Sequence, residues 1–414
     1  MIPSGTYPNP EQIAMTTAQI AGNDPQDHLV QTATTSAPAW LAVAALALST
    51  FASVTTEFLP VGLLTNIADG LHVTEGSAGL MITIPGLIAA VTGPLLIILA
   101  GRLDRRLVLL MLSVLLVISN VVAAAAPNLA TMLVARVLLG VCVGGFWTFA
   151  PGATTHLVPE ALQPRAMSYI LAGISVATIA GVPAGAMLGN LAGWRVAFAT
   201  SAGVSLIALA LQFFTMPSMP AAHAIRFREL SLTLKIPMAR LGLVVTFLLV
   251  AGHFATYTYI KPLLQQVFNI PSEGVTSLLL LYGIAGFIGT YFGGRLVAKS
   301  IRGTAFVAAA MIGSVLLLST LGATGRIEGA AVALVWGVAF GLVPMSLTTW
   351  MLKALPDAAE AGQAVLVSVF QVAISLGAFV GGLVLDTYNI FTVTLLGCAL
   401  VASAALTVAI ARIK

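Results

Sequence analysis

Twelve apolar runs of about twenty residues follow one another along this chain, and they leave few folds open. They lie at roughly 39–66, 77–99, 107–126, 129–151, 166–188, 195–216, 239–265, 275–298, 304–323, 329–351, 362–384 and 391–411. About 20 helical residues, rising ~1.5 Å each, cross a hydrocarbon core ~30 Å thick. These runs are continuous and long rather than short and alternating, which selects helix.

Composition agrees. Residues are 59% hydrophobic and 8% charged, against about 25% charged in soluble domains, so water cannot wet this surface all round. The 39 glycines suit membrane helices that approach through small residues. The expected fold class is an all-α polytopic membrane protein. Cys142 and Cys398 sit in apolar runs without neighbours at metal-ligand spacing, which argues against a disulfide framework or a zinc site. There is no H-E-x-x-H, no G-x-x-x-x-G-K-[ST] and no dinucleotide fingerprint after a strand. An enzyme is therefore not expected, no metal or cofactor is called for, and uphill transport would draw on an ion gradient. A membrane enzyme or sensor stays open as a different class.

Residues 1–37 form a polar tail without Lys or Arg, expected to be disordered and lacking the basic start of a signal peptide. The longest polar connection, within residues 217–238, divides the spans six and six. The expected units are thus 38–216 and 239–414, joined by that linker. Arg102, Arg105, Arg106, Arg165, Arg226, Arg228, Lys235, Arg240, Arg295, Lys299, Arg302, Lys353, Arg412 and Lys414 fall on one side of the spans, and only Arg195 and Arg326 in loops on the other. By the positive-inside rule both termini and the linker are cytoplasmic.

The halves echo each other. Residues 138–170 align without gaps on 335–367, matching Gly140 with Gly337, Gly144 with Gly341 and Pro159-Glu160 with Pro356-Asp357. Further along, Gly185 meets Gly382, and Gly101-Arg102-Leu103 echoes Gly294-Arg295-Leu296. Two parallel six-helix repeats about an axis normal to the membrane are the architecture of rocking secondary transporters, with the substrate site at the midplane.

TEFLPVGLL in the first span, GRLDRR after the second, LVARVLLGVCVGGFW in the fourth and AGVPAGAMLGNLAGWR in the fifth resemble the drug:proton antiporter branch of the major facilitator superfamily. The likeness covers nearly all of residues 38–414. GGFW, FATYTYIKP in the seventh span, LVP and TTW in the tenth, and GGLVLD are similar to nucleoside exporters of that branch, and many of the same words recur in sugar efflux permeases. The resemblance implies a proton-coupled exporter, here of purine ribonucleosides, with sugar or multidrug export as the alternative. It also implies a bacterial inner membrane, a monomer, and small-molecule substrate, protons and membrane lipid as partners, with no nucleic-acid polymer. Two motifs depart from the family pattern: Ala100 stands four before Asp104, and Val182 separates Gly181 from Pro183.

Glu57 is the only charge between Asp27 and Asp69. A charge near the bilayer centre costs about 2.5–3.5 kcal/mol on insertion scales, so it needs a partner or a wet cavity. Ser49, Ser53 and Glu57 recur every four residues on one helical stripe, the expected cavity wall. Arg136 in the fourth span matches the depth of Glu57 to within roughly 3 Å and is the expected partner. The resemblance likewise pairs that arginine with a first-span acid. Desolvation and a neighbouring cation act in opposite directions on a carboxyl, which suits a group that exchanges protons. A permanent ion pair locking the two spans is the structural alternative.

His253, Tyr257 and Lys261 form a second stripe at i, i+4, i+8. Tyr257 could stack on a base, His253 could titrate near neutrality, and Lys261 could gate or snorkel to the interface. Trp147, Trp336 and Phe340 are further cavity candidates, with packing as the competing role. Gln371, on a polar stripe with Gln363 and Ser375, is a candidate for reading base or ribose edges. Asp104 resembles the family's gating aspartate, with Arg105 beside it. Gly181, Pro183 and Gly185 are the expected hinge, with Gly181, Gly185 and Gly189 packing against the other half.

Overall fold

The computed structural model describes residues 37–101, 103–220, 235–321, 325–356 and 359–411. The tail over 1–36, Arg102, Arg226, Arg228, Asp357, Arg412 and Lys414 lie outside them. The described residues contain twelve helices long and apolar enough to cross a membrane. They are α1 (Ala37–Leu71), α2 (Glu75–Ala100), α3 (Arg105–Ala124), α4 (Leu129–Leu157), α5 (Glu160–Ala192) and α6 (Trp194–Thr215). After the linker come α7 (Pro237–Tyr257), α8 (Ser272–Lys299), α9 (Ile301–Thr320), α10 (Arg326–Ala354), α11 (Ala359–Thr387) and α12 (Ile390–Ile410). The chain is a multi-pass membrane protein.

Helix starts follow local chemistry. Thr74, Asn128, Ser300 and Asn389 accept backbone N–H groups at the starts of α2, α4, α9 and α12, satisfying donors that no earlier turn can reach. Asp104 does the same for α3.

The seventh expected span, 239–265, does not run through. α7 ends at Tyr257, and a short helix, Ile260–Gln266, starts after a break at Thr258–Tyr259. Pro262 has no N–H to offer the Thr258 carbonyl and its ring crowds the preceding turn. The break takes Lys261 off the helix face that carries His253 and Tyr257.

Helix contacts sort into two sets of six with the same internal plan. In one, α2 packs on α4, α3 on α4 and α6, and α1 on α5 and α6; in the other, α8 packs on α10, α9 on α10 and α12, and α7 on α11 and α12. A shift of 197 residues carries Leu129–Leu157 onto Arg326–Ala354 at both ends. The sets meet through α2 against α11 and α5 against α8, which the same shift interchanges.

Glycine sets how near these pairs approach. A Cβ on Gly283 would lie 2.6 Å from the Thr178 carbonyl oxygen, and one on Gly86 would lie 2.9 Å from that of Gln371. Gly86 and Gly283 are 197 residues apart, so one close crossing occurs twice. The stripe of Gly181, Gly185 and Gly189 does not face the other half. It receives Thr55, Leu59 and Leu63 of α1, because both helices present a ridge repeating every four residues. Within α5, Ala177–Gly181 widens into a π-helical turn just before Pro183, where the proline cannot donate to the ladder.

Candidate functional site

Glu57 lies near the middle of α1 and is 5% exposed. One carboxylate oxygen accepts a hydrogen bond from the Gln371 amide of α11, in the other half, at 3.3 Å. Arg136 of α4 is fully buried and lies within electrostatic reach of Glu57. Its Nη1 donates not to the acid but to the Thr56 carbonyl, at 2.9 Å. The depth match therefore aims the guanidinium at the residue before Glu57, and the hydrogen bonds of the two charges run past each other. The guanidinium also rests on the Phe198 ring at 4.8 Å, a cation–π contact. Arg136 Nε and Nη2, together with Ser53 Oγ, are buried without hydrogen-bond partners. Buried polar atoms without partners are uncommon and mark places where water or a ligand fits.

The serine stripe divides. Ser53 stays beside Glu57 without a partner, whereas Ser49 turns to Gln212 of α6, whose Nε2 donates to it at 2.5 Å. Ser113 Oγ donates to Gln212 at 3.1 Å, and Asn120 donates to Thr56 at 3.0 Å and to Ser205 at 3.3 Å. These bonds tie α1, α3 and α6 together, so Ser49 belongs to the scaffold and not to a cavity wall.

His253, Tyr257, Trp336 and Phe340 come together in one aromatic cluster across α7 and α10. The imidazole stacks on Phe340 at 3.9 Å and on Tyr257 at 5.0 Å. Trp336 Nε1 donates to His253 Nδ1 at 2.9 Å. An indole N–H only donates, so Nδ1 carries no proton and the neutral ring holds its hydrogen on Nε2, which has no partner. Two members were not anticipated: Tyr282 of α8, 4.9 Å from Tyr257, and Phe254, which stacks on Phe58 of α1 at 5.6 Å. The Phe58–Phe254 stack joins this cluster to the helix carrying Glu57. Trp147 stays apart, half-buried beside Phe146.

Lys261, 1% exposed, sits at the end of the bundle opposite the basic one and donates to Asn66 of α1. Asn66 donates to Asn190 at 3.5 Å, and Asn190 to the Ser272 carbonyl at 3.4 Å, so this chain crosses between the halves twice. Nearby, Asp386 of α11 accepts from Thr74 at 2.6 Å and from the Gly76 N–H at 2.9 Å, capping α2 from the other half. Asparagines inside apolar spans were the available signal for Asn66, Asn120 and Asn190, since an amide in hydrocarbon needs a partner.

At the basic end Asp104 accepts from Arg106 N at 2.8 Å, from Met219 N at 2.9 Å and from the Ser218 hydroxyl. Ser218 and the two backbone donors hold its carboxyl below the usual carboxylate range. These contacts tie the start of α3 to the first residues of the linker and do not reach the second half. Arg105 caps α2 by donating to Gly101 O at 3.4 Å and lies over Phe149 at 5.0 Å. Gly181 and Gly185 pack on α1, and Pro183 is buried within α5.

Comparison with known proteins agrees with this geometry. The family model described as Major Facilitator Superfamily matches residues 46–382. The purine ribonucleoside efflux pump NepI of Salmonella enteritidis is 33% identical over 383 residues, covering 91% of this chain and 95% of that protein. NepI of Salmonella typhimurium is 33% identical over 378 residues, covering 90% and 94%. Among solved structures, the nucleoside transporter NupG superposes with a TM-score of 0.73 at 15% identity, covering 89% of this chain and 99% of that one. The human organic anion transporter MFSD10 does so with a TM-score of 0.67 at 17% identity, covering 90% and 100%. With its repeated halves meeting around a buried acid and an aromatic cluster, this chain belongs to the major facilitator superfamily and is a transporter.

Proposed function

We propose that this protein is a proton-coupled exporter of purine ribonucleosides in a bacterial inner membrane, with both termini and the 217–238 linker cytoplasmic. The halves over 38–216 and 239–414 rock about the α2–α11 and α5–α8 crossings. The observation that carries the reading is Glu57, a buried acid whose recorded hydrogen bond is to a neutral amide of the opposite half. Intramembrane acids at such junctions mark ion pathways. In the state described here the crossing hydrogen bonds gather from the middle toward the end opposite the basic one. That arrangement supports a form closed to the outside and ready to take substrate from the cytoplasm.

The choice of cargo rests on the NepI relatives and on the rings around His253. Flat heterocycles stack well on such rings, and the Nε2–H is a donor for a base oxygen. The chain in proteoliposomes should accumulate inosine or guanosine when a pH gradient is imposed. E57Q should lose that accumulation by about tenfold or more, equivalent to at least ~1.4 kcal/mol, while still exchanging inosine down its own gradient. Full gradient-driven transport by E57Q rejects the coupling. A preference for arabinose or chloramphenicol over inosine moves the cargo to the sugar or drug branch.

A further inference from the structure

We infer that Gln371 is a positioning residue that transmits the charge state of Glu57 to the junction between the halves, rather than a group that reads substrate. The inference rests on the proton-coupled reading above. Three observations place it there. Its side chain, 7% exposed, donates to Glu57 at 3.3 Å from the other half. Its own carbonyl lies in the α2–α11 crossing, where a Cβ on Gly86 would stand 2.9 Å from it, and it accepts from Ser375 at 2.8 Å. Side chain and backbone of one residue thus hold both the acid and the crossing.

An amide presents a donor and an acceptor. It donates to a carboxyl oxygen of Glu57 in this structure, and to accept from the O–H of the protonated acid it turns its own oxygen inward. Interiors packed as tightly as this one take discrete arrangements and do not deform smoothly. A change in Glu57 therefore reaches α11 at the place where α11 bears on α2. Among the described residues, the other ionisable groups within electrostatic reach of Glu57 are Arg136 and Cys142 of α4. Both belong to the first half, so neither links the acid to the second. The pseudo-symmetric position, 197 residues earlier, is Ile174. Among the described residues the α5–α8 crossing has no amide at that position, its Asn190 bonding Ser272 at the far end instead, and the sensing is confined to one side of the molecule.

The experiment uses the full-length chain in proteoliposomes, with Cys142 and Cys398 replaced by serine. Spin labels go at Leu99 and Leu352, exposed positions at the basic ends of α2 and α10. Inter-label distances are measured at acidic and alkaline pH, beside the KM for inosine. The parent should change its distance distribution with pH, and E57Q should not. Q371M, similar in volume and without polar atoms, should be as insensitive to pH as E57Q while keeping the parent KM within about twofold, ~0.4 kcal/mol. A Q371M that responds to pH like the parent overturns the inference. So does a Q371M with a raised KM and an intact pH response, which makes Gln371 a substrate residue. A parent whose distances ignore pH overturns the proton-coupled reading itself.

Discussion

At the scale of single residues, the bond between Trp336 and His253 decides what the imidazole can do. With Nδ1 accepting from the indole, a second proton on the ring would set two N–H groups against each other. In this state His253 is a fixed donor, and on the proton-coupled reading proposed above the exchange is left to Glu57. The expected consequence is measurable as a cycle. H253F leaves the Trp336 N–H buried without an acceptor, which costs about 1–3 kcal/mol, and W336F loses a neutral hydrogen bond worth about 1 kcal/mol. The double variant should cost less than the sum by roughly 1 kcal/mol, read by thermal unfolding in detergent. Additive losses would mean that the bond does not form. Glu57, Arg136 and His253 were legible in the sequence because ionisable groups stand out against hydrocarbon. Their partners were not, since Gln371 and Thr56 reach them only through packing between helices distant in sequence.

Among the elements, the helix count was legible because each span is a long apolar run, and the repeat because its glycines fall at equal spacing. The break at Thr258–Tyr259 was not, because no glycine interrupts the run there and Pro262, which causes it, lies three to four residues further on. Nor does a glycine stripe tell which neighbour it faces, since α1 and α8 both border α5. Asp104 belongs to this scale, as the cap that holds the start of α3 to the chain after α6. D104A should cost about 1 kcal/mol, typical of a lost N-cap, measured by thermal unfolding. The sign with pH follows from the lowered folded value. The contribution is complete above the unfolded carboxylate value of about 3.9 and fades as pH falls below it through the folded value. The parent and D104A should therefore converge in stability at acid pH and differ at neutral pH.

Over the whole molecule, two equivalent crossings join the halves, and on the rocking cycle proposed above the polar chain at one end holds the arrangement seen here. Removing one partner of a buried charged bond strands the other, whereas replacing both with apolar groups restores balance. N66L should accordingly open the end opposite the basic one, and K261M combined with N66L should close it again. A cysteine at Val275, buried in the first turn of α8 and labelled by a membrane-impermeant maleimide in the background lacking Cys142 and Cys398, reports the change. Its labelling should rise about tenfold in N66L, the population change given by ~1.4 kcal/mol, and fall back in the double variant. Equal labelling in all three would remove Lys261 from the latch.

Sealing that end also strips water from an ammonium group. Lys261 is 1% exposed and is held by an amide oxygen, a weaker companion than the hydration shell it gave up. In the proposed cycle, parting the halves there returns the ammonium to water, and that gain offsets some of the bonds broken. On that reading the seal carries part of its own release.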